Sequence, residues 1–323
     1  MFFRSYSLSL PSCYPQKVTL NDYAIFQLER IKKWLNSKLI YVTNIGGTSM
    51  NEHHNLNLRD EILSSVANRN VTARIIADDE GVISETDTAV EEAKGLGLVI
   101  DSILGVGSLV KMGDEVARFS GSPKQIAMAE EVLLGIIAKP SGIATAVSRF
   151  IEKVGHKPQI VCGAWKKMPP SQKETIRRAV KVGGGAFRIT QEPFVYLDKN
   201  IIEMLGGIRL SLSAVSMLTG YVKVVQIKGR YHDIAQEACE AVKCGAAIIF
   251  IDTGLKEDIQ RVSVALVGLG LRSSVKIAFG GNIRLAEIDE LKTMDIDILD
   301  IGRSIVDAPL LDMRLEVACI SDT

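Results

Sequence analysis

The chain has 323 residues, 47% of them apolar, with 38 basic and 38 acidic side chains. That length makes one large domain or two of ordinary size, each with a substantial core. Zero net charge removes the basic excess that nucleic acids and anionic membranes usually attract, so neither is an expected partner. The five cysteines (Cys13, Cys162, Cys239, Cys244, Cys319) are scattered and form no CxxC, which excludes a disulfide framework or a zinc site and fits a reducing cytoplasm. No apolar run reaches the roughly 18 residues of a membrane span, and a single Arg4 before a run broken by Ser and Pro is not expected to act as a signal peptide.

Residues 1–20 carry little pattern. Asn21 or Asp22 can cap a helix to about Lys38, with Ile25, Leu28, Ile31 and Leu35 at helical spacing. Leu39–Thr43 reads as a strand, and Gly46–Asn57 as a polar loop whose His53 and His54 lack a third metal ligand at suitable spacing. A helix is expected from Arg59 to Ala67. The period then changes: Thr72–Ala77 alternates, Gly81-Val-Ile is a short strand, Glu85–Leu96 is helical, and Val99–Ile103 and Glu115–Phe119 are strands. This reads as a small α+β domain. Ser122–Ala138 is a strong helix with Ile126, Ala129, Leu133, Ile136 and Ile137 on one side. Pro140-Ser-Gly predicts a break, after which Ile143–Val154 resumes a helix.

From Pro158 strands and helices alternate. The predicted strands are Gln159–Cys162, Ala186–Ile189, Phe194–Leu197, Val222–Ile227, Ala246–Ile251, Val275–Ala278 and Ile296–Ile301. The predicted helices are Gln172–Val182, Ile201–Met217, Asp233–Lys243, Glu257–Val267 and Leu285–Leu291. Such alternation means parallel crossovers, and the run of short units favours a barrel over an open doubly wound sheet. The expected division is 1–139 for the first domain and 140–309 for the barrel, with residues 310–323 folding back on the first.

In barrels of this kind the chemistry sits at the C-terminal ends of the strands. Read in turn, those ends supply Trp165, Lys166 and Lys167, then Arg188, Asp198 and Lys199, Gln226 and Lys228, and Asp252. Two glycine turns follow, Gly280-Gly281-Asn282 and Gly302-Arg303-Ser304. Glycine turns after the last two strands, each leading into a helix start, make an anion cradle. A mouth rich in lysine and arginine, with Asp198 and Asp252 as its carboxylates, suits a polyanion, and phosphates are the obvious class. One acid in such a site can help hold Mg²⁺ or bind a sugar hydroxyl.

Several stretches resemble a known family. Glu130 with Leu133-Leu134, then Ser141-Gly142-Ile143-Ala144-Thr145, is similar to AERTALN…LSGIAT. Arg178 to Gly185 resembles KYAVRxGGG, and Leu197 to Asn200 resembles LIKDNH. Ile251-Asp252 resembles LDN, Phe279 to Ile283 resembles SGGI, and Asp300-Ile301-Gly302 resembles the closing SVGALT. The family is quinolinate phosphoribosyltransferase, and the resemblance runs from about Val71 to Val317. It implies a small N-terminal α+β domain followed by an open (β/α) barrel of the type II phosphoribosyltransferase kind. It also implies an obligate homodimer whose partner completes each site. The implied reaction joins a pyridine nitrogen to the anomeric carbon of phosphoribosyl pyrophosphate with Mg²⁺; pyrophosphate leaves and the 2-carboxylate is lost as CO₂. By the same resemblance Lys166, Lys199 and Asp252 fall on catalytic positions, Asp252 also on a metal position. Gly280, Gly281 and Gly302, with Asn282 and Arg303 beside them, fall on the phosphate grip.

The departures cluster on the base-binding half. Gly163-Ala-Trp-Lys-Lys-Met-Pro-Pro170 stands for DTRKTTPG, so Trp165 replaces an arginine, followed by Lys166 and Lys167. Glu131 replaces the arginine of AERT, which the family uses to reach substrate across the dimer. Arg188 keeps one charge of the lost NHR, Gln226 stands for a second acid, and the histidine of LIKDNH is absent. Arginine forks suit the paired carboxylates of quinolinate, so their loss points to a less anionic ring, with nicotinate or another heteroaromatic compound as plausible as quinolinate. Two other readings stay open. An orotidine-phosphate decarboxylase-like barrel shares the glycine grip, but its Asp-x-Lys-x-x-Asp is missing here. A diverged, non-catalytic phosphoribosyl- or nucleotide-binding protein is the second, because a fold does not fix a function.

Overall fold

A computed structural model describes residues 58–322. The predicted helix to Lys38, the strand Leu39–Thr43 and the loop with His53 and His54 lie outside the described residues. The expected helix from Arg59 to Ala67 is α1 (Leu58–Ile62) followed by a separate 3-10 turn, Ser64–Val66.

The first sheet is antiparallel. Its strands β1 (Arg69–Ala77), β3 (Val99–Ile103), β5 (Glu115–Gly121) and β12 (Met313–Asp322) lie in the order β12-β1-β5-β3. Along β1, Val71, Ala73, Ile75 and Ala77 are buried, the period-two pattern of a strand with one covered face. Strand β12 returns to β1, pairing along it from Arg69↔Asp322 to Ala77↔Met313. A two-stranded ribbon of β2 (Gly81–Val82) and β4 (Leu109–Val110) and the helix α2 (Thr86–Gly95) complete this part.

The predicted break at Pro140 does not occur. A single helix, α3, runs from Pro123 to Val154, opened by a capping box between Ser122 and Gln125. A proline in a helix interior removes one backbone bond and usually kinks it, but both halves of α3 are held by packing. Ile126, Ala129, Leu133 and Ile137 bury against the first sheet, while Ile143, Val147, Phe150 and Val154 bury in the barrel core. The Ser-Gly-Ile-Ala-Thr stretch has its own work at the crossing. Ser141 Oγ accepts the Ser84 N–H and Thr145 Oγ1 accepts the Val82 N–H, each at 2.9 Å.

The second sheet is wholly parallel. Its strands are β6 (Gln159–Val161), β7 (Phe194–Leu197), β8 (Val222–Ile227), β9 (Ile248–Ile251), β10 (Lys276–Gly280) and β11 (Ile298–Asp300), in the order β6-β11-β10-β9-β8-β7. This is the expected open barrel. The predicted strand Ala186–Ile189 is reduced to one bridge, Val161↔Ala186. The crossovers are α4 (Lys173–Val182), α5 (Lys199–Met204), α6 (Ile208–Ala214), α7 (Ile234–Lys243), α8 (Lys256–Gly268), α9 (Ile288–Leu291) and α10 (Arg303–Val306). The single helix expected over Ile201–Met217 is split because Gly206 and Gly207 sit at φ +83° and +118°, where a helix cannot continue.

Arg272 fastens the N-terminal ends of β10 and β11. It meets Asp295 at 2.6 Å and Asp297 at 2.9 Å, and this guanidinium holds the Asp295 carboxyl below its usual 3.8. A depressed carboxylate contributes stability that is complete above its ordinary value and is lost as pH falls through the folded one. Arg272→Met is therefore expected to lower the melting temperature by a constant amount above about pH 5, and by progressively less below about pH 3.8. Thermal melts across that range check it.

Candidate active site

The alternation of the parallel strands builds the site from below. Val161, Val224, Ile248, Phe250, Ala278 and Ile298 point inward and form one apolar cluster. Their neighbours Ile160, Val225, Ile249, Ile277 and Leu299 point outward to the helices. Continuing each inward row by two residues gives Gly163, Gln226, Asp252, Gly280 and Asp300 at the mouth, with Tyr196 on the same row of β7. The mouth is thus a polar layer resting on an apolar plug.

Asp252 lies at the centre of a hydrogen-bonded group. Its Oδ2 accepts from Gln226 Nε2 at 2.5 Å and faces Lys228 Nζ at 2.9 Å. Gln226 Oε1 in turn accepts the Lys199 backbone N–H at 2.8 Å, which ties the start of α5 to β8 and β9. Asp198 is occupied otherwise, because it caps α5 by accepting the N–H groups of Asn200 and Ile201. Lys228 is placed by a buried acid: Glu237, 1% exposed, accepts backbone N–H groups from Lys228, Gly229 and Tyr231 at 2.8–3.0 Å. Lys199 is exposed beside Gln226, Lys228 and Arg230 in a small cleft.

Beside this group is a cavity of about 510 Å³ lined by Trp165, Lys166, Arg177, Phe187, Arg188, Phe194, Tyr196 and Asp300. Its walls pair aromatic faces with cations. The Arg177 guanidinium lies 3.7 Å over the Trp165 ring, Lys166 Nζ 5.6 Å over Tyr196 and the Arg188 guanidinium 5.1 Å over Phe194. Trp165 is fixed by donating its indole N–H to the Phe187 carbonyl at 2.8 Å. Burial pushes the Tyr196 hydroxyl well up, reinforced by the carboxylates of Asp300, Asp252 and Asp198, so this side chain stays neutral. Burial also pushes the Cys162 thiol to about 12, which removes it as a nucleophile.

The two glycine turns meet on the other side. Gly280 pairs with Asp300 across β10 and β11, and Ser304 Oγ donates to the Ile283 carbonyl at 2.6 Å. Gly281 (φ +128°) and Asn282 (φ +56°) are exposed and donate to no backbone carbonyl among the described residues, which leaves both N–H groups available to an anion. A second cavity of about 470 Å³ joins Gly281 and Asn282 to Lys228, Asp252, Thr253, Gly254 and Arg284. The helix end is weaker than the sequence suggests, since α10 has only four residues. A Cβ on Gly281 would lie 2.5 Å from the Gly254 Cα. Gly281→Ala is expected to cost about 2 kcal/mol of stability and to weaken inorganic phosphate binding, readable by melting and calorimetry.

Of the residues the sequence singled out, the structure brings Trp165, Lys166, Arg188, Lys199, Gln226, Asp252 and the three glycines with Asn282 to the mouth. Lys167 is exposed outside the lining of both cavities, and its charge acts on Asp300. Two do not gather there. Arg303 turns to solvent, 78% exposed, and pairs with Asp307 at 3.7 Å. Glu131 sits on the first half of α3, 63% exposed, in an ion pair with Arg59, and no described contact joins it to the strand ends. Sequence reasoning missed Arg177, Tyr196 and Asp300 as site residues. The period-two rows of β7 and β11 carry the last two, and Arg177 follows from one turn of α4. No group of three or more His, Cys, Asp or Glu that could hold a metal occurs among the described residues.

Known proteins resemble the chain over most of its length. A probable nicotinate-nucleotide pyrophosphorylase [carboxylating] of Archaeoglobus fulgidus is 27% identical over 258 residues, covering 79% of this chain and 97% of that protein. Its counterpart in Methanothermobacter thermautotrophicus is 26% identical, covering 76% and 88%. The solved nicotinate-nucleotide pyrophosphorylase of Francisella tularensis superposes with a TM-score of 0.71 at 20% identity, covering 90% of this chain and 96% of that one. That likeness supports the fold. Residues 58–141 match the N-terminal domain and residues 143–316 the C-terminal domain of quinolinate phosphoribosyl transferase, and the chain belongs to that family.

Proposed function

We propose that the protein is a phosphoribosyltransferase of the NAD biosynthesis type. It joins the ring nitrogen of a pyridine carboxylate to the anomeric carbon of phosphoribosyl pyrophosphate. The observation that carries this reading is Asp252, a carboxylate of the glycine-lined cavity whose charge also acts on Tyr196 and Asp300 in the aromatic one. The bond from the anomeric carbon to the pyrophosphate oxygen breaks and the ring nitrogen's lone pair forms the new one. Positive charge then grows on the ribosyl carbon, and a fixed carboxylate beside it stabilises that charge in the transition state more than in the ground state. Lys199 and Lys228 face the departing pyrophosphate, and the N–H groups of Gly281 and Asn282 take the sugar's 5′-phosphate.

Two carboxylates line the glycine-lined cavity, Asp252 with Lys228 against it and Glu287 paired with Arg284 and Lys256. Such a donor set fits a magnesium ion carried mainly by the pyrophosphate, since Mg²⁺ is commonly held by one or two carboxylates plus substrate phosphates and water. When bound, the ion neutralises charge on the leaving group. The position of Glu131 and Arg59 away from the mouth is consistent with a homodimer in which that surface serves a partner's site. No described helix is long and apolar enough to cross a membrane, which fits the cytoplasmic setting we assign.

The test is pyrophosphate release from phosphoribosyl pyrophosphate and Mg²⁺ over a panel of pyridine acids. Release with at least one acid is expected, and none without Mg²⁺. Binding of phosphoribosyl pyrophosphate with no release from any acid would instead favour a non-catalytic binding protein.

A further inference from the structure

Asp300 is the one acidic side chain lining the aromatic cavity among the described residues. It ends β11 in register with Val161 and Gly280, on the inward row, so its carboxylate forms part of the cavity floor. One oxygen is committed: Oδ1 accepts the Gly163 N–H at 2.8 Å. Oδ2 has no hydrogen-bond partner among the described residues, and it lies 3.0 Å from where a Cβ on residue 163 would stand. The glycine therefore leaves it room. On the wall, Arg177 and Arg188 supply guanidinium groups held against Trp165 and Phe194. The cavity is bipolar, with cations on its wall and a hydrogen-bond acceptor on its floor.

Resting on the phosphoribosyl-transfer reading above, we propose that Asp300 sets specificity for the ring, by accepting a hydrogen bond from it. The substrate is then a heteroaromatic monocarboxylate that also carries a hydrogen-bond donor such as an amino group. Its carboxylate meets a wall arginine and its donor meets Asp300 Oδ2. A ring with two adjacent carboxylates is disfavoured, because the second would face a carboxylate. The penalty for an unpaired buried acceptor also turns away a ring that lacks the donor. Lys166, its Nζ 5.6 Å over the Tyr196 ring, and Lys167 act on Asp300 through their charge and favour its ionised form. Burial raises the Asp300 carboxyl, and a partner that donates to it offsets that cost.

Calorimetry on the full chain tests this with quinolinate, nicotinate, 2-aminonicotinate and 6-aminonicotinate as probes. An aminonicotinate is expected to bind at least tenfold more tightly than quinolinate. Asp300→Asn keeps an acceptor for the Gly163 N–H and removes the charge, so that preference is expected to narrow at least tenfold while phosphoribosyl pyrophosphate affinity is unchanged. A purely structural role would lower all affinities together, and that result overturns the proposal. So does wild-type protein that binds quinolinate as tightly as either aminonicotinate. If the variant does not fold, the wild-type order of affinities decides alone. Binding in the expected order without any pyrophosphate release would refute phosphoribosyl transfer and leave Asp300's role standing. Rapid release with quinolinate as the best acid would do the reverse.

Discussion

Asp252→Ala is expected to lower kcat/KM for pyrophosphate release by about 10²–10³-fold, the usual loss when one preorganised electrostatic group is removed from a site. The side chain is restrained from two sides, by Gln226 Nε2 at 2.5 Å and Lys228 Nζ at 2.9 Å, so its position costs little to establish at the moment of reaction. The loss belongs in kcat, because the charge it meets develops only in the transition state. Asp252→Asn retains the shape but loses the charge, and should fall nearly as far. The stability change is expected to be small, since the carboxylate is partly exposed and Lys228 regains water. Steady-state kinetics with a melting curve for each variant distinguish this outcome from unfolding. A variant that keeps kcat within about threefold of wild type would remove Asp252 from the chemistry.

Gly142→Ala is expected to be among the most destabilising single substitutions in the chain, at about 3 kcal/mol or more. Residue 142 lies inside α3, where alanine would ordinarily be the better helix former by about 1 kcal/mol. The sign reverses because the connection from α10 to β12 crosses the helix there. A Cβ would stand 2.0 Å from the Pro309 carbonyl oxygen and 2.8 Å from the Leu310 Cα. Both are backbone atoms, so no rotamer change relieves the clash, and β12 must shift relative to β1. Denaturant unfolding measures the loss. Gly183 faces the same constraint, with a Cβ 2.3 Å from the Ala144 carbonyl. The SGIAT and triple-glycine stretches thus interlock α3 and α4.

Much of the barrel was readable because its strands are short, apolar and bounded by polar turns. Phe194–Leu197 and Val222–Ile227 match the observed β7 and β8 residue for residue. What could not be read locally was decided by tertiary packing. Pro140 is a breaker by propensity, yet two separate cores hold the helix through it. Asp198 resembles a site acid in sequence but spends its carboxylate on the cap of α5. Glu237, one residue among several on an amphipathic helix, gave no sign that it would anchor the loop carrying Lys228. Arg303 followed a glycine turn as a phosphate ligand would, but a one-turn helix aims it outward. Asp300 was legible only through the inward rows, because reading the loops after each strand passes over the strand's own last residue.

The pairing of β12 with β1 bears on how the polypeptide emerges from the ribosome. Residue 69 is made more than two hundred positions before its partner at residue 322. During most of synthesis one side of β1 therefore presents an open edge, with backbone groups ready to pair with any extended neighbour. Only synthesis of residues 313–322 supplies the strand that covers it. Nascent molecules stalled before residue 313 are accordingly the species to look for in aggregates.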